Sequence, residues 1–529
     1  MLGVKFIIIL ALFGAITSAP DQEYLGTRHS FGGKLELTEE EKEVNRIFMK
    51  HKNNELSLAF NDTSQNAPAM HFFKAKGVIE NSMVFKFLKK MPKGGALHLH
   101  ALASVSPEWI IKNITYLSGL KKCINQANAP VLTFRPNAEP HKCKSDFTDV
   151  NDERKSQNAE EYDKNLAAAF NLFTPTPEKD YPTINKVWGR FVQMFFGLWD
   201  AVHYLPAAKA FYWRLLEELY EDNVMYAELR VELFRLYTEN GRLDREQSIL
   251  QLWEVTEQFK KEHPDFLGVR LIYTVLRGSK PDELQEYYSR LKNYTTRQPD
   301  KLVGFDMVGP EDSDPRLLSF ADNLIELSDK TKFFFHAGET NSYGDTDLNL
   351  VDAILLNTTR IGLGYALPKH PLLMKIIKEK DIPVEVCPIS NQVLHLVSDL
   401  RNHPGAILLA NNIPMVISND APAFWGVQGL SYDYYYAIMS LASNKDGLRT
   451  LKQLVLNSIK YSSLPEEEKK TAEKNLEKQW NQFIDNMLKD TEFNISKFLV
   501  HPYVLLCICL LIIVITAHSP PKVRYDNES

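Results

Sequence analysis

Ala96-Leu97-His98-Leu99-His100 decides how this chain is read. Alternate residues of a strand share a face, so His98 and His100 aim together from the end of a short apolar run. Seven more such runs follow, at residues 224–230, 269–277, 302–306, 332–336, 359–362, 382–387 and 414–418, each closing on polar residues or glycine. Helical patterns lie between most of them, as at 207–220, 248–262 and 317–328. Eight strands alternating with helices predict an α/β fold, a (β/α)8 TIM-type barrel, with its functional residues at the C-terminal strand ends.

Two later runs close on the same kind of chemistry. His336 ends Phe333-Phe334-Phe335-His336, and Asp420 ends Val416-Ile417-Ser418-Asn419-Asp420. Three imidazoles and one carboxylate suit Zn²⁺ and leave a coordination position for water, which zinc acidifies to a pKa of about 7. Glu339 follows His336 by three residues, near enough to give or take a proton. A single H-x-H on a strand is more often structural; further polar residues at the ends of separate strands, in one order, point to a site.

At 529 residues the chain can bury a large core, and its charged and apolar fractions are those of a globular protein. A net charge of −6 with no basic patch excludes nucleic acid as a partner. Residues 1–19 carry Lys5, an apolar run and small residues up to Ala19, the order of a secretory signal peptide. Sequons at Asn61, Asn113, Asn293, Asn357 and Asn494 agree with secretion and are candidate glycosylation sites. Residues 503–517 contain no charge; with the preceding residues from 498 they form a candidate C-terminal membrane anchor, followed by a short polar tail at 518–529. A packed apolar helix is the alternative for that stretch. Cys123 and Cys143 lie in a segment that reads as irregular and, in an oxidising lumen, are expected to pair; Cys387 reads as a buried thiol. No C-x-x-C pattern exists, so a metal would use His and carboxylate. Outside the barrel, 20–90 reads as a charged helical region and about 113–181 as an insertion after the first strand.

Longer segments around these residues resemble the adenosine deaminases, most closely the secreted branch of adenosine deaminase-related growth factors, or adenosine deaminase 2. They are Met91-Pro92-Lys93-Gly94-Gly95 leading into Ala96–His100, Gly304-Phe305-Asp306-Met307-Val308-Gly309, Phe334-Phe335-His336-Ala337-Gly338-Glu339-Thr340, and Arg360-Ile361-Gly362. Val386-Cys387-Pro388-Ile389-Ser390-Asn391-Gln392 and Ser398-Asp399-Leu400-Arg401-Asn402-His403-Pro404 complete the set. The resemblance runs from about residue 40 to about 490. It implies a zinc-bearing barrel over 91–490, dimerisation through 20–90, and an insertion closed by a Cys123–Cys143 disulfide. The implied reaction turns adenosine and water into inosine and ammonia. The implied ligands are His98, His100, His336 and Asp420. Glu339 would protonate the purine, while Gly309 and Trp188 would contact the substrate.

Three positions depart from the family's pattern. Its I-G-H-G histidine, which activates the water, is Leu363; the second aspartate of its S-x-D-D motif is Ala421; the aspartate after H-x-H, which contacts the ribose, is Ala101. His370 and His395 fall in loop- or helix-like segments that give no reason to aim either at the metal. Three readings follow. The favoured one is a zinc-keeping relative with little or no turnover, binding adenosine or a related nucleoside, with a binding or signalling role and a cell-surface receptor as candidate partner. The others are an active adenosine deaminase of nucleoside catabolism and a zinc hydrolase with a changed substrate.

Overall fold

The computed structural model describes residues 30–135, 143–232 and 234–493. The expected signal segment (1–19), the apolar stretch (498–517), the tail (518–529) and the Asn494 sequon lie outside them. Among the described residues, no helix is long and apolar enough to cross a membrane.

The charged N-terminal region is helical, as its pattern predicts. Helix α1 (Glu39–Asn61) starts at a capping box, in which Glu41 N–H donates to Thr38 Oγ1 (3.2 Å) and Thr38 N–H donates back to the Glu41 carboxylate (2.9 Å). Three glutamates in the first turn suit the positive end of the helix dipole. Val44, Ile47 and Phe48 form its buried stripe. Helices α2 (Phe72–Asn81) and α3 (Met83–Lys90) then lead into the barrel.

The eight expected strands all form. They are β1 (Gly94–His100), β2 (Val224–Val231), β3 (Gly268–Leu276), β4 (Leu302–Val308), β5, β6 (Ile361–Leu363), β7 (Val384–Val386) and β8 (Met415–Ile417), with β5 in two pieces, Lys332–Phe333 and His336–Ala337. Every strand pairs parallel with the next in sequence. The ring closes where His100 N–H donates to the Asp420 carbonyl (2.8 Å) and Asp420 N–H donates to the His98 carbonyl (3.1 Å). This is a (β/α)8 barrel.

The run at 332–336 was expected to be one strand. It is interrupted because its backbone changes partner: the first piece pairs with β4 and the second with β6. Phe334 N–H still donates to Phe305 O (2.9 Å), and Gly362 N–H donates to Phe335 O (2.8 Å), so no polar backbone group is lost at the break. Gly304 permits the close approach of the Phe334 ring, since a Cβ there would lie 2.1 Å from it.

The insertion is more ordered than the sequence suggests. Lys121–Ile124, Pro130–Thr133 and Thr148–Asp149 form an antiparallel sheet, followed by helices Val150–Lys155 and Ala159–Ala169. Asn125 organises the hairpin by accepting from Ala127 N–H and Ala129 N–H (3.0 Å each). Strands of two to four residues are too short to show alternation. Cys123 and Cys143 are disulfide-bonded, and Cys387 is buried and free.

One buried histidine sets an acid limit on this fold. His403 is 3% exposed, and its Nδ1 accepts from Gly405 N–H (2.9 Å), leaving Nε2–H to face Asn391 Oδ1 (2.8 Å). Burial pushes its pKa down to about 3, whereas an unfolded histidine titrates near 6.5. The unfolded chain therefore takes up the proton first. The stabilisation is whole above pH 6.5 and is lost as pH falls toward 3, by up to about 4 kcal/mol. We expect His403→Gln, which cannot take that proton, to show a shallower fall in urea midpoint than the parent between pH 6.5 and 4. Parallel curves would refute this.

Candidate metal centre and pocket

The ends of β1, β5 and β8 bring His98, His100, His336 and Asp420 together, with one ligand atom of each within 4.8 Å of all the others. Asp420 reaches the group from a left-handed backbone position (φ 60°), which aspartate tolerates. His100 Nε2 lies 3.1 Å from Asp420 Oδ1, and Ser390 Oγ donates to Asp420 Oδ2 (2.6 Å).

Two buried carboxylates orient the imidazoles. His98 Nδ1 faces Glu385 Oε2 at 2.7 Å, and His336 Nδ1 faces Asp306 Oδ2 at 2.7 Å. Holding Nδ1 this way turns each Nε2 inward, the arrangement by which outer carboxylates fix metal-bound histidines. These carboxylates belong to an ionic layer inside the barrel. Arg230 of β2 donates to Asp306 (2.7 Å) and Glu385 (2.8 Å). Arg360, just before β6, donates to Glu385 (2.6 Å) and to Glu228 of β2 (2.6 Å). All five side chains are at most 2% exposed.

The electrostatics sort the group into ligands and a proton carrier. Burial pushes the His336 imidazole down to about 4, despite Asp306, and burial also lowers His100. Both are neutral and able to ligate at pH 7. Burial resists ionisation of Asp420, but contacts from His100 and His98 prevail and hold its carboxyl well below the usual range. Glu339 behaves oppositely. Burial first, then the charges of Asp420 and Glu311, hold it well above the usual range, so it takes up a proton more readily than an ordinary carboxylate. His98 Nε2 and Glu339 Oε1 are buried and without hydrogen-bond partners among the described residues. A buried imidazole nitrogen aimed at two more imidazoles and a carboxylate is a fit for a divalent metal, and the N/O donor set is one zinc accepts.

His100, His336, Glu339 and Asp420 form one wall of a cavity of about 660 Å³. Ala101, Gly309 and Trp188 also line it. Helix α4 (Ile184–Trp199) turns an aromatic face to the cavity through Trp188, Phe191, Phe195 and Trp199, a spacing that keeps them on one side. Such a wall suits a flat, unsaturated ring.

Leu363 ends β6 with φ 62° and is 1% exposed; Ala421 is fully buried. His370 is held away by Asp347 (2.7 Å), and neither it nor His395 lines the cavity. Asn61, Asn113, Asn293 and Asn357 are all exposed. Asp306, Glu385, Arg230, Arg360 and Glu228 were not among the expected site residues. Their only signal was a charge inside an apolar strand run, as in Val384-Glu385-Val386.

Fold and site together define a (β/α)8 barrel with a histidine–aspartate metal site at its mouth. The Adenosine deaminase family pattern matches residues 168–479, and an Adenosine/AMP deaminase N-terminal pattern matches residues 25–88. Adenosine deaminase 2 of Homo sapiens is 43% identical over 462 residues, covering 86% of this chain and 90% of that protein. Adenosine deaminase 2 of Sus scrofa is 42% identical over 468 residues, covering 87% and 91%, and an adenosine deaminase of the sand fly Phlebotomus duboscqi is 41% identical over 464 residues, covering 87% and 89%. The chain belongs to the adenosine deaminase family, in its adenosine deaminase 2 branch. Solved structures agree on the fold. An Arabidopsis N6-mAMP deaminase aligns with a TM-score of 0.53 at 15% identity, covering 74% of this chain and 99% of that one. A zinc-bound amidohydrolase of Burkholderia ambifaria aligns with a TM-score of 0.54 at 18% identity, covering 77% and 95%.

Proposed function

We propose that this chain is an extracellular, zinc-holding member of its family that binds adenosine or a related nucleoside and turns it over slowly or not at all. One observation carries the reading: the metal cluster and its proton carrier are complete, while the residue at the family's base position is the buried, apolar Leu363.

His98, His100, His336 and Asp420 would hold the zinc, with Glu385 and Asp306 fixing the rings. Bound zinc supplies Lewis acidity toward water. Protonated Glu339 can donate to a purine nitrogen at the mouth. Leu363 has no lone pair with which to accept a proton, and losing a general base costs about 10²–10⁴ in rate. Ala421 and Ala101 offer no carboxylate to ring or ribose, at roughly 1.5–3 kcal/mol for each charge-assisted hydrogen bond missing. The pocket keeps its metal corner and its aromatic wall, so binding is less affected than turnover. The role is then one of ligand capture or signalling, exercised as a secreted, glycosylated homodimer joined through the N-terminal helices. The likeness to adenosine deaminase 2 proteins and the exposed sequons support a secreted setting.

The test uses the full-length secreted protein. We expect about one zinc per chain, its loss in His98→Ala, and saturable adenosine binding with inosine formation at least a hundredfold below that of an active relative. Turnover matching that relative would overturn the reading.

A further inference from the structure

The far arm of the cavity is built unlike its metal corner. Arg235, Arg242, Arg245 and Arg290 line it, against the carboxylates Glu232 and Glu283. A short hairpin, Tyr237–Thr238 paired with Gly241–Arg242, carries Arg242 to the rim. Arg235 pins that hairpin by donating from Nε to Leu243 O (2.8 Å). Neither the Arg235 Nη atoms nor the Arg242 side chain has a hydrogen-bond partner among the described residues. Arg290 pairs with Glu286 and lies over the Tyr287 ring at 5.2 Å. It is only 17% exposed, and burial, followed by the charge of Arg245, lowers its pKa. Two guanidiniums are thus held near enough to repel each other on one wall. Glu232 and Glu283, both exposed to solvent, are the carboxylates on the same lining.

We propose that this arm is an anion subsite and that the pocket's preferred occupant is a nucleoside monophosphate rather than the free nucleoside. The inference rests on the nucleoside reading above and extends it to the substrate class. Guanidinium groups suit phosphate oxygens through paired N–H donors. Tyr273 and Tyr287, both lining the arm and both kept un-ionised by burial, add neutral hydroxyls. Ala101, also on the cavity wall, places no negative charge where the family pattern has an aspartate at the ribose.

Zinc-loaded full-length protein is titrated calorimetrically with AMP and with adenosine at about 50 and about 300 mM NaCl, with inosine and IMP formation followed in the same samples. AMP should bind at least tenfold tighter at low salt, and the gap should narrow at high salt as screening grows. Arg242→Ala, on an exposed hairpin, should reduce the gap severalfold, and Arg245→Gln with Arg290→Gln should close it; adenosine affinity should stay within twofold throughout. Inorganic phosphate should compete with AMP but not with adenosine. If adenosine binds and AMP binds no tighter, the anion subsite is refuted and the nucleoside reading stands. If neither binds, both are refuted.

Discussion

Replacing Leu363 with His, Ala421 with Asp and Ala101 with Asp in one chain is expected to raise adenosine turnover at least a hundredfold. The base alone accounts for 10²–10⁴. The two carboxylates add binding energy, but the gains will not multiply cleanly, because groups that act together are not additive. The backbone is ready for the first change. Leu363 already sits at φ 62°, a left-handed position that histidine occupies more readily than leucine. The strand end therefore need not refold to present an imidazole. Glu339 and the ligands are in place. Inosine formation by single and triple variants, each checked for zinc content, decides the matter. A fully zinc-loaded triple variant that stays inert would mean that these positions are not what limits turnover.

Arg230→Met should be the most damaging single change to stability. Arg230 neutralises Asp306 and Glu385 from a fully buried position on β2. Methionine fills much of the volume but leaves Asp306 without its guanidinium, and Glu385 with Arg360 alone, in a low-dielectric interior. Breaking a buried pair in this way costs about 3–5 kcal/mol. Because those carboxylates orient His98 and His336, zinc affinity should fall about 10–100-fold as well. Urea unfolding and competition with a zinc chelator measure the two effects separately. Lys42→Met is the comparison: it breaks the exposed Lys42–Glu39 pair (2.7 Å) and should cost under about 1 kcal/mol. An Arg230→Met midpoint indistinguishable from that of Lys42→Met would show that the ionic layer is not what holds this part of the barrel.

The barrel was legible because each strand is a short apolar run with a polar end, and closure puts those ends together. That is why His98, His100, His336 and Asp420 could be grouped across more than three hundred residues of sequence. The ionic layer was not legible for the converse reason. A charge in a strand normally marks the solvent face, and nothing local says that Glu385 points inward to Arg230, 155 residues away. The break in β5 was hidden as well, since a change of pairing partner leaves hydropathy untouched. In the insertion, order comes from Asn125 and the Cys123–Cys143 bridge rather than from any periodic pattern.

The ring of strands has a seam. Its first and last members, β1 and β8, meet only beyond the end of β8, through the backbone around Leu99 and Asp420. His98 and His100 stand on one lip of that seam and Asp420 on the other. A metal held by all three works as a clasp on the barrel, fastening the two ends of a 320-residue hoop. On the function proposed above, a chain with little turnover would still need its hoop closed. Losing a ligand would then harm architecture before it harmed any reaction.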